Sequence, residues 1–212
     1  MSLKGKRVLV TAGPTYEPID PVRFIGNRSS GRQGFAIAQA AAEAGAEVVL
    51  IAGPVSLRTP PGVDRIDVET AQQMNDATFA ALPVDVAILV AAVADWRVEP
   101  SPSKLKKSKG APALTFLPNP DILKALAAHP RRPKLLIGFA AETEDVVAHA
   151  QDKLASKGAD WIVANDVSGD VMGGTHTVVH LITAEKVETW PKGEKRDVAQ
   201  KLIGRVASAL SV

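Results

Sequence analysis

Apolar residues along this chain gather into short runs, separated by stretches with helical spacing. Arg7–Thr11 reads as a buried strand, residues 31–44 as an apolar-rich helix stopped by Gly45, and Glu47–Ala52 as a second strand. Val63–Val68 alternates like a third strand. Thr70, with Gln73 three residues on, makes a capping box that opens a helix to about Leu82. Asp85–Ala91 is apolar after its first residue, as expected of a parallel strand covered on both faces.

After Ala94 the pattern lapses. Pro100, Pro102 and the lysines at 104, 106, 107 and 109 predict a mobile loop, followed by a short strand near Ala113–Phe116. Asn119, Pro120 and Asp121 then offer an N-cap, a proline at the first helical position and an acid in the first turn. Lys134–Ala140 reads as a strand, about Thr143–Lys157 as a helix ended by Gly158, and Asp160–Ala164 as the next strand. His176–Thr183 and Lys186–Trp190 look like antiparallel ribbon strands, and Lys195–Leu210 like a closing amphipathic helix. This alternation predicts an α/β fold in a single domain, residues 1–212. Its core is a Rossmann-like, mostly parallel sheet with helices on both faces and a small antiparallel extension late in the chain. Such sheets bind ligands at the carboxyl ends of their strands, so chemistry is sought in the loops leaving those ends.

Composition narrows the classes. At 212 residues and 46% hydrophobic content, folding buries roughly 70% of the unfolded chain's surface without needing a disulfide or structural metal. The absence of cysteine excludes disulfides, thiolate metal sites and a cysteine nucleophile. With 25 Lys and Arg against 23 Asp and Glu, the net charge of +2 gives no electrostatic case for nucleic acid or a membrane surface. Met1–Lys6 lacks the apolar core of an export signal, and the longest aliphatic stretches fall short of the ~20 residues of a membrane helix. The expectation is a cytoplasmic protein.

Three loops could carry chemistry. The first, TAGPTYEPIDPVRFIGNRSSGRQG from Thr11 to Gly34, is far too long for a Gly-x-Gly-x-x-Gly dinucleotide turn, and no phosphate loop of the Gly-Lys-Ser/Thr kind occurs. It brings Asn27, Arg28, Ser29, Ser30 and Gly31 to a helix N-terminus, which favours an anion. The plainer reading is that Ser29 or Ser30 caps the helix. The second loop, Ala91–Asp95, combines small residues that admit a flat ligand with an acid that accepts hydrogen bonds. Asp95 could equally be a turn residue. The third holds Lys104, Lys106 and Lys107, which read either as a solvated loop or as charge brought to a reacting phosphate. Phe139 at a strand end reads as core. Lys153 and Lys157 share a helix face, where the helix dipole alone would favour them. His176 and His180 lack a third ligand, so no metal site from protein side chains is expected.

Taken in order, GPTYEPIDPVRFIGNRSSG, AAVADW, KLKK, NPDIL, GFAAET and IVAND span nearly the whole chain. Together they resemble the phosphopantothenoylcysteine synthetase domain of bacterial coenzyme A biosynthesis. The resemblance implies a ligase joining 4'-phosphopantothenate to L-cysteine through an acyl-cytidylate, with CTP giving CMP and pyrophosphate. It implies Mg²⁺ arriving with CTP, a homodimer, and a flavin-dependent decarboxylase fused or associated in many relatives. Asn27 takes the role of stabilising the intermediate and Lys104 that of activation. Ala91, Asp95, Pro120, Asp121, Ile122, Leu123, Phe139, Lys153 and Lys157 take nucleotide contacts. Arg23, Ser29, Ser30 and Gly31 fall to the substrate phosphate or its loop. Gly26, Tyr16 and Thr177 stand where the family commonly has serine, arginine and asparagine. Two other classes are an NAD(P)-binding oxidoreductase, which suits the fold but lacks the fingerprint turn, and a nucleic-acid module, which charge and aromatic content oppose.

Overall fold

The computed structural model describes residues 2–110, 112–142, 144–166 and 176–211. In chain order the elements are β1 (Arg7–Ala12), β2 (Tyr16–Pro18), β3 (Phe24–Gly26), α1 (Arg32–Glu43), β4 (Glu47–Ala52), β5 (Val63–Asp67), α2 (Ala71–Ala80), β6 (Val86–Leu89) and β7 (Trp96–Val98). There follow β8 (Phe116–Pro118), α3 (Ile122–Ala127), β9 (Leu135–Glu142), α4 (Val146–Lys157), β10 (Trp161–Asp166), β11 (His176–Thr183), β12 (Val187–Glu194) and α5 (Lys195–Ala209).

Eight strands form one sheet in the order β12-β11-β10-β9-β6-β1-β4-β5. The pairings from β5 through to β10 are parallel, while β11 and β12 add antiparallel at one edge. Along the parallel part the chain runs outward from β1 through β4 to β5, then returns to β1's other side with β6. Sequence neighbours therefore diverge at the β1–β6 boundary, the topological switch point where an α/β sheet opens a crevice. Both sheet faces are covered. Val8, Val10, Leu50 and Ile88 pack under α1 and α5 with Phe35, Ile37, Leu202 and Val206, while Leu9, Ile51, Leu136 and Ile162 face Met74, Leu126 and Ala150 of α2, α3 and α4. Gly34 sets α1 against β1: a Cβ there would lie 2.5 Å from the Ala12 Cβ. Among the described residues no helix is long and apolar enough to cross a membrane.

Several boundaries differ from the sequence expectation. The capping box forms, with Thr70 Oγ1 accepting from the Gln73 N–H and Gln73 Oε1 accepting from the Thr70 N–H. The strand expected near Ala113–Phe116 lies at Phe116–Pro118, because its partner is Trp96–Val98. The N-cap of α3 is Asp121, whose carboxylate accepts from the Lys124 N–H, and Asn119 instead donates its side-chain amide to the Ala94 carbonyl at 2.8 Å. α4 starts at Val146 after Asp145, and β12 extends to Glu194. Thr143 and the side chains of His176 and Thr177 fall outside the described residues.

Candidate active site

The carboxyl ends of β1, β6, β9 and β10 open on one cleft of about 710 Å³. Its floor lies at the switch point, where β1 and β6 run on past their ladder. The Ala92 N–H donates to the Gly13 carbonyl at 2.9 Å, while Thr11 and Thr15 hydroxyls accept from the Ala91 and Ala94 N–H groups. These bonds fix the small-residue strip Ala91–Ala94 flat along the cleft. Asn119 fastens the strip from the other side: its N–H donates to the Asp95 carbonyl at 2.9 Å and its side chain to Ala94.

One wall is the start of α1. Neither Ser29 nor Ser30 caps it. Gly31 takes the N-cap position at φ 71°, left-handed backbone that glycine adopts without strain, and offers no side-chain cap; the Ser29 hydroxyl accepts only from the Gly31 N–H, at 3.4 Å. Gly31, Arg32, Gln33 and Gly34 all line the cleft with Ser29 and Ser30. The arrangement suits an anion, since uncapped helix amides and the dipole act together. Gln33 Oε1 and Asn165 Oδ1, also on the cleft wall, are buried without a hydrogen-bond partner among the described residues. Buried polar atoms of this kind call for a ligand or water.

The opposite wall carries cations. Lys153, on α4, donates from Nζ to the Phe139 carbonyl at 2.8 Å. Burial pushes this ammonium below its ordinary value, against the opposing pull of Glu142. Lys157, one turn on, pairs with Asp121 at 2.5 Å. Burial raises the Asp121 carboxyl, but the Lys157 bond and the Lys124 amide outweigh it and leave it below the usual carboxylate range. Asn27 reaches from the long loop over the strip, its amide nitrogen donating to the Ala92 and Val93 carbonyls at 3.2 and 3.1 Å.

Asn27, Ser29, Ser30, Gly31, Ala91, Asp95, Pro120, Asp121, Ile122, Leu123, Phe139, Lys153 and Lys157 thus come together in one cleft, drawn from loops far apart in sequence. Phe139 serves both readings, packing on the core and lining the cleft. Arg23 and Lys104 do not line it. Arg23 instead donates to the carbonyl of Leu105, the residue after Lys104, at 3.0 Å.

The chain matches the family described as the DNA/pantothenate metabolism flavoprotein C-terminal domain over residues 3–210. It belongs to that family. Coenzyme A biosynthesis bifunctional protein CoaBC of Vibrio parahaemolyticus is 46% identical over 198 residues, 91% of this chain and 48% of the relative. The namesake of Vibrio cholerae is 50% identical over 170 residues, 78% of this chain and 43% of that protein. The chain spans about half the length of the curated relatives it matches. Among solved structures, the C-terminal domain of CoaBC superposes with a TM-score of 0.84 at 40% identity, covering 98% of this chain and 97% of the other. The mostly parallel α/β sheet is accordingly the fold of the flavoprotein C-terminal domain family.

Within that family fold, two departures noted in the sequence turn out to be one. Tyr16 and Gly26 are cross-strand partners in β2–β3, and a Cβ at Gly26 would lie 2.8 Å from the Tyr16 ring and 2.9 Å from the Thr15 carbonyl. The Tyr16 ring, stacked on Phe24 at 3.9 Å between centroids, occupies the space a serine would take. Sequence reasoning missed Gln33 and Asn165 as cleft residues. Asn165 stood in the quoted IVAND segment at a strand's carboxyl end, which was the available signal. Gln33 gave none. Among the described residues no group of three His, Cys, Asp or Glu side chains is placed to hold a metal.

Proposed function

We propose that this chain is a single-domain phosphopantothenate-cysteine ligase. The observation carrying this reading is the convergence of an anion-binding helix start, a flat small-residue strip and two lysines in one cleft whose residues belong to the motifs of that family. The bifunctional CoaBC relatives, named for coenzyme A biosynthesis, support it.

A carboxylate has no good leaving group, so amide formation requires activation. The 4'-phosphopantothenate carboxylate oxygen attacks the α-phosphorus of CTP, forming the acyl-cytidylate as the bond to pyrophosphate breaks. The cysteine amine then attacks the acyl carbon, CMP leaves with the electron pair of the broken bond, and the amine gives up a proton. Lys153 and Lys157 grip the outer phosphates, exchanging their present partners for them. Ala91, Asp95, Phe139 and the Pro120–Leu123 segment hold the nucleotide. The α1 start with Ser29, Ser30 and Gly31 takes the substrate phosphate, while Arg23, outside the cleft lining, holds the loop. Lys104, reaching in from outside the cleft lining, offsets charge at the α-phosphate, and the Asn27 amide donates to the acyl oxygen. Magnesium fits as a passenger on the triphosphate, where it neutralises phosphate charge. The cleft offers it Asp95 and Asp121, and Asp121 is already committed to Lys157.

Phe24, Trp96 and Phe116, each more than half exposed on the β2–β3 and β7–β8 hairpins, supply an apolar surface suited to the homodimer. The bifunctional relatives fit a flavin-dependent decarboxylase as neighbour. Pyrophosphate release that requires both 4'-phosphopantothenate and a nucleoside triphosphate, run with CTP and with ATP, tests the reaction and its base preference. Release without phosphopantothenate, or none with either nucleotide, would overturn the proposal.

A further inference from the structure

Residues 19–23 form a tight turn, the Arg23 carbonyl accepting from the Ile19 and Asp20 N–H groups at 2.8 and 3.3 Å. The Asp20 carboxylate, with no exposed side-chain surface, lies inside it. It accepts from the Val22 and Arg23 N–H groups at 2.9 and 3.0 Å, from Arg23 Nε at 3.0 Å, and from Arg23 Nη2. Those local bonds alone would complete the turn. Yet Asp20 Oδ2 accepts one more from the Leu105 N–H at 3.1 Å, 85 residues away, and Arg23 Nη2 donates back to the Leu105 carbonyl at 3.0 Å. The Ser101 N–H donates to the Ile19 carbonyl at 2.8 Å. The segment from Ser101 to Leu105 is therefore tied to one turn at both ends, through its own backbone groups only. Lys104, exposed, sits immediately before the double tie.

We infer that Asp20 is a positioning residue, latching the lysine-bearing segment at Leu105 so that Lys104 is held in place for phosphate chemistry. This rests on the ligase reading of Lys104. A solvated lysine loop would need no anchor built on a buried carboxylate, a group costly to bury unless every lone pair finds a donor. An ionised carboxylate is also the side chain able to accept this many N–H bonds at once. Bonding to Arg23, with the three backbone amides, outweighs burial and holds the carboxyl well below the usual carboxylate range. The latch therefore stays charged across any working pH. Fixing the backbone at the next residue narrows the search that the Lys104 ammonium makes at each turnover.

The test combines amide hydrogen exchange with kinetics. In Asp20→Asn, exchange at Leu105 and Ser101 is expected to accelerate roughly tenfold or more while β1 and β6 stay protected. Pyrophosphate release should lose roughly tenfold in kcat with KM for CTP unchanged. In a Lys104→Gln background the same substitution should cost nothing further, because both act through one ammonium. Leu105→Pro removes the same N–H without touching the Asp20–Arg23 turn and should reproduce the faster exchange at Ser101 and the loss in kcat. Unchanged exchange at Leu105 in Asp20→Asn would overturn the latch. Full pyrophosphate release from Leu105→Pro, or additive losses with Lys104→Gln, would overturn the positioning role. A wild-type chain that releases no pyrophosphate would remove the ligase reading, and the exchange data would still decide the latch.

Discussion

Lys157 Nζ and Asp121 Oδ2 stand 2.5 Å apart at the mouth of the cleft, joining the end of α4 to the start of α3. The same carboxylate caps α3 through the Lys124 N–H. In the ligase reading Asp121 is a stand-in anion that a triphosphate must displace. Asp121→Asn keeps the cap, since asparagine caps as well as aspartate, and removes the competing charge. CTP should then bind more tightly, by up to about fivefold, the limit set by ~1 kcal/mol for a partly exposed pair. CMP, without outer phosphates, should be unaffected. Calorimetric titration with both nucleotides checks this, and weaker CTP binding would sink it.

Lys153 makes a pH prediction. Burial lowers its folded value below that of a free lysine, so the empty cleft loses this proton at a lower pH than an unfolded chain does. For stability, the unfolded state binds more protons between the two values, so Lys153 makes stability rise with pH across that alkaline window. For binding, a triphosphate favours the charged ammonium, so CTP binding should take up a proton there and weaken as pH climbs. Calorimetry in two buffers of different ionisation enthalpy measures the uptake. Replacing both Lys153 and Lys157 by glutamine should abolish it and impair CTP far more than CMP. Equal loss for both nucleotides would point to a distorted pocket.

The long apolar strands were legible because a strand covered on both faces must be apolar where it is buried, as in Glu47–Ala52, which is apolar after its first residue and whose expected and observed limits coincide. The three-residue hairpins were not. Tyr16–Pro18 and Trp96–Val98 are too short for periodicity, and their pairing with Phe24–Gly26 and Phe116–Pro118 is a tertiary fact. Asn119 looked like a cap because Pro120 and Asp121 follow it, but its amide is spent on Ala94 across 25 residues. Resemblance brought the cleft residues together on paper, and the sheet does so in space. Lys104 and Arg23 were assigned with them but do not line the cleft, and the bonds from Asp20 and Arg23 to the Leu105 backbone span more than eighty residues, which no local pattern announces.

The Tyr16–Gly26 pair predicts coupled substitutions. Gly26→Ser forces a Cβ against the Tyr16 ring and the Thr15 carbonyl, an overpacking that should cost roughly 1–3 kcal/mol. Tyr16→Arg removes the ring and should recover part of that loss in the double variant, the Thr15 contact remaining. Denaturant unfolding of the four proteins gives the coupling. Strictly additive effects would show that the two positions vary independently.

Asn27 carries the sharpest test of the second half-reaction. Its amide hydrogens now point at the Ala92 and Val93 carbonyls, so the side chain is oriented over the strip where the acyl group would lie, and a donor to the acyl oxygen needs only a small swing. Asn27→Asp removes both N–H donors and sets a negative charge against two carbonyl oxygens. Loss of one donor at a developing oxyanion typically costs about 3 kcal/mol, or roughly 10²-fold in rate. The variant should still consume CTP and release pyrophosphate while phosphopantothenoylcysteine forms about a hundredfold more slowly, so that acyl-cytidylate accumulates and is visible by mass spectrometry. Repulsion from Ala92 and Val93 could instead unseat the loop, which would slow pyrophosphate release equally and leave no intermediate. Quenched-flow measurement of both products separates these outcomes, and near-normal formation of the amide would assign Asn27 to the loop alone.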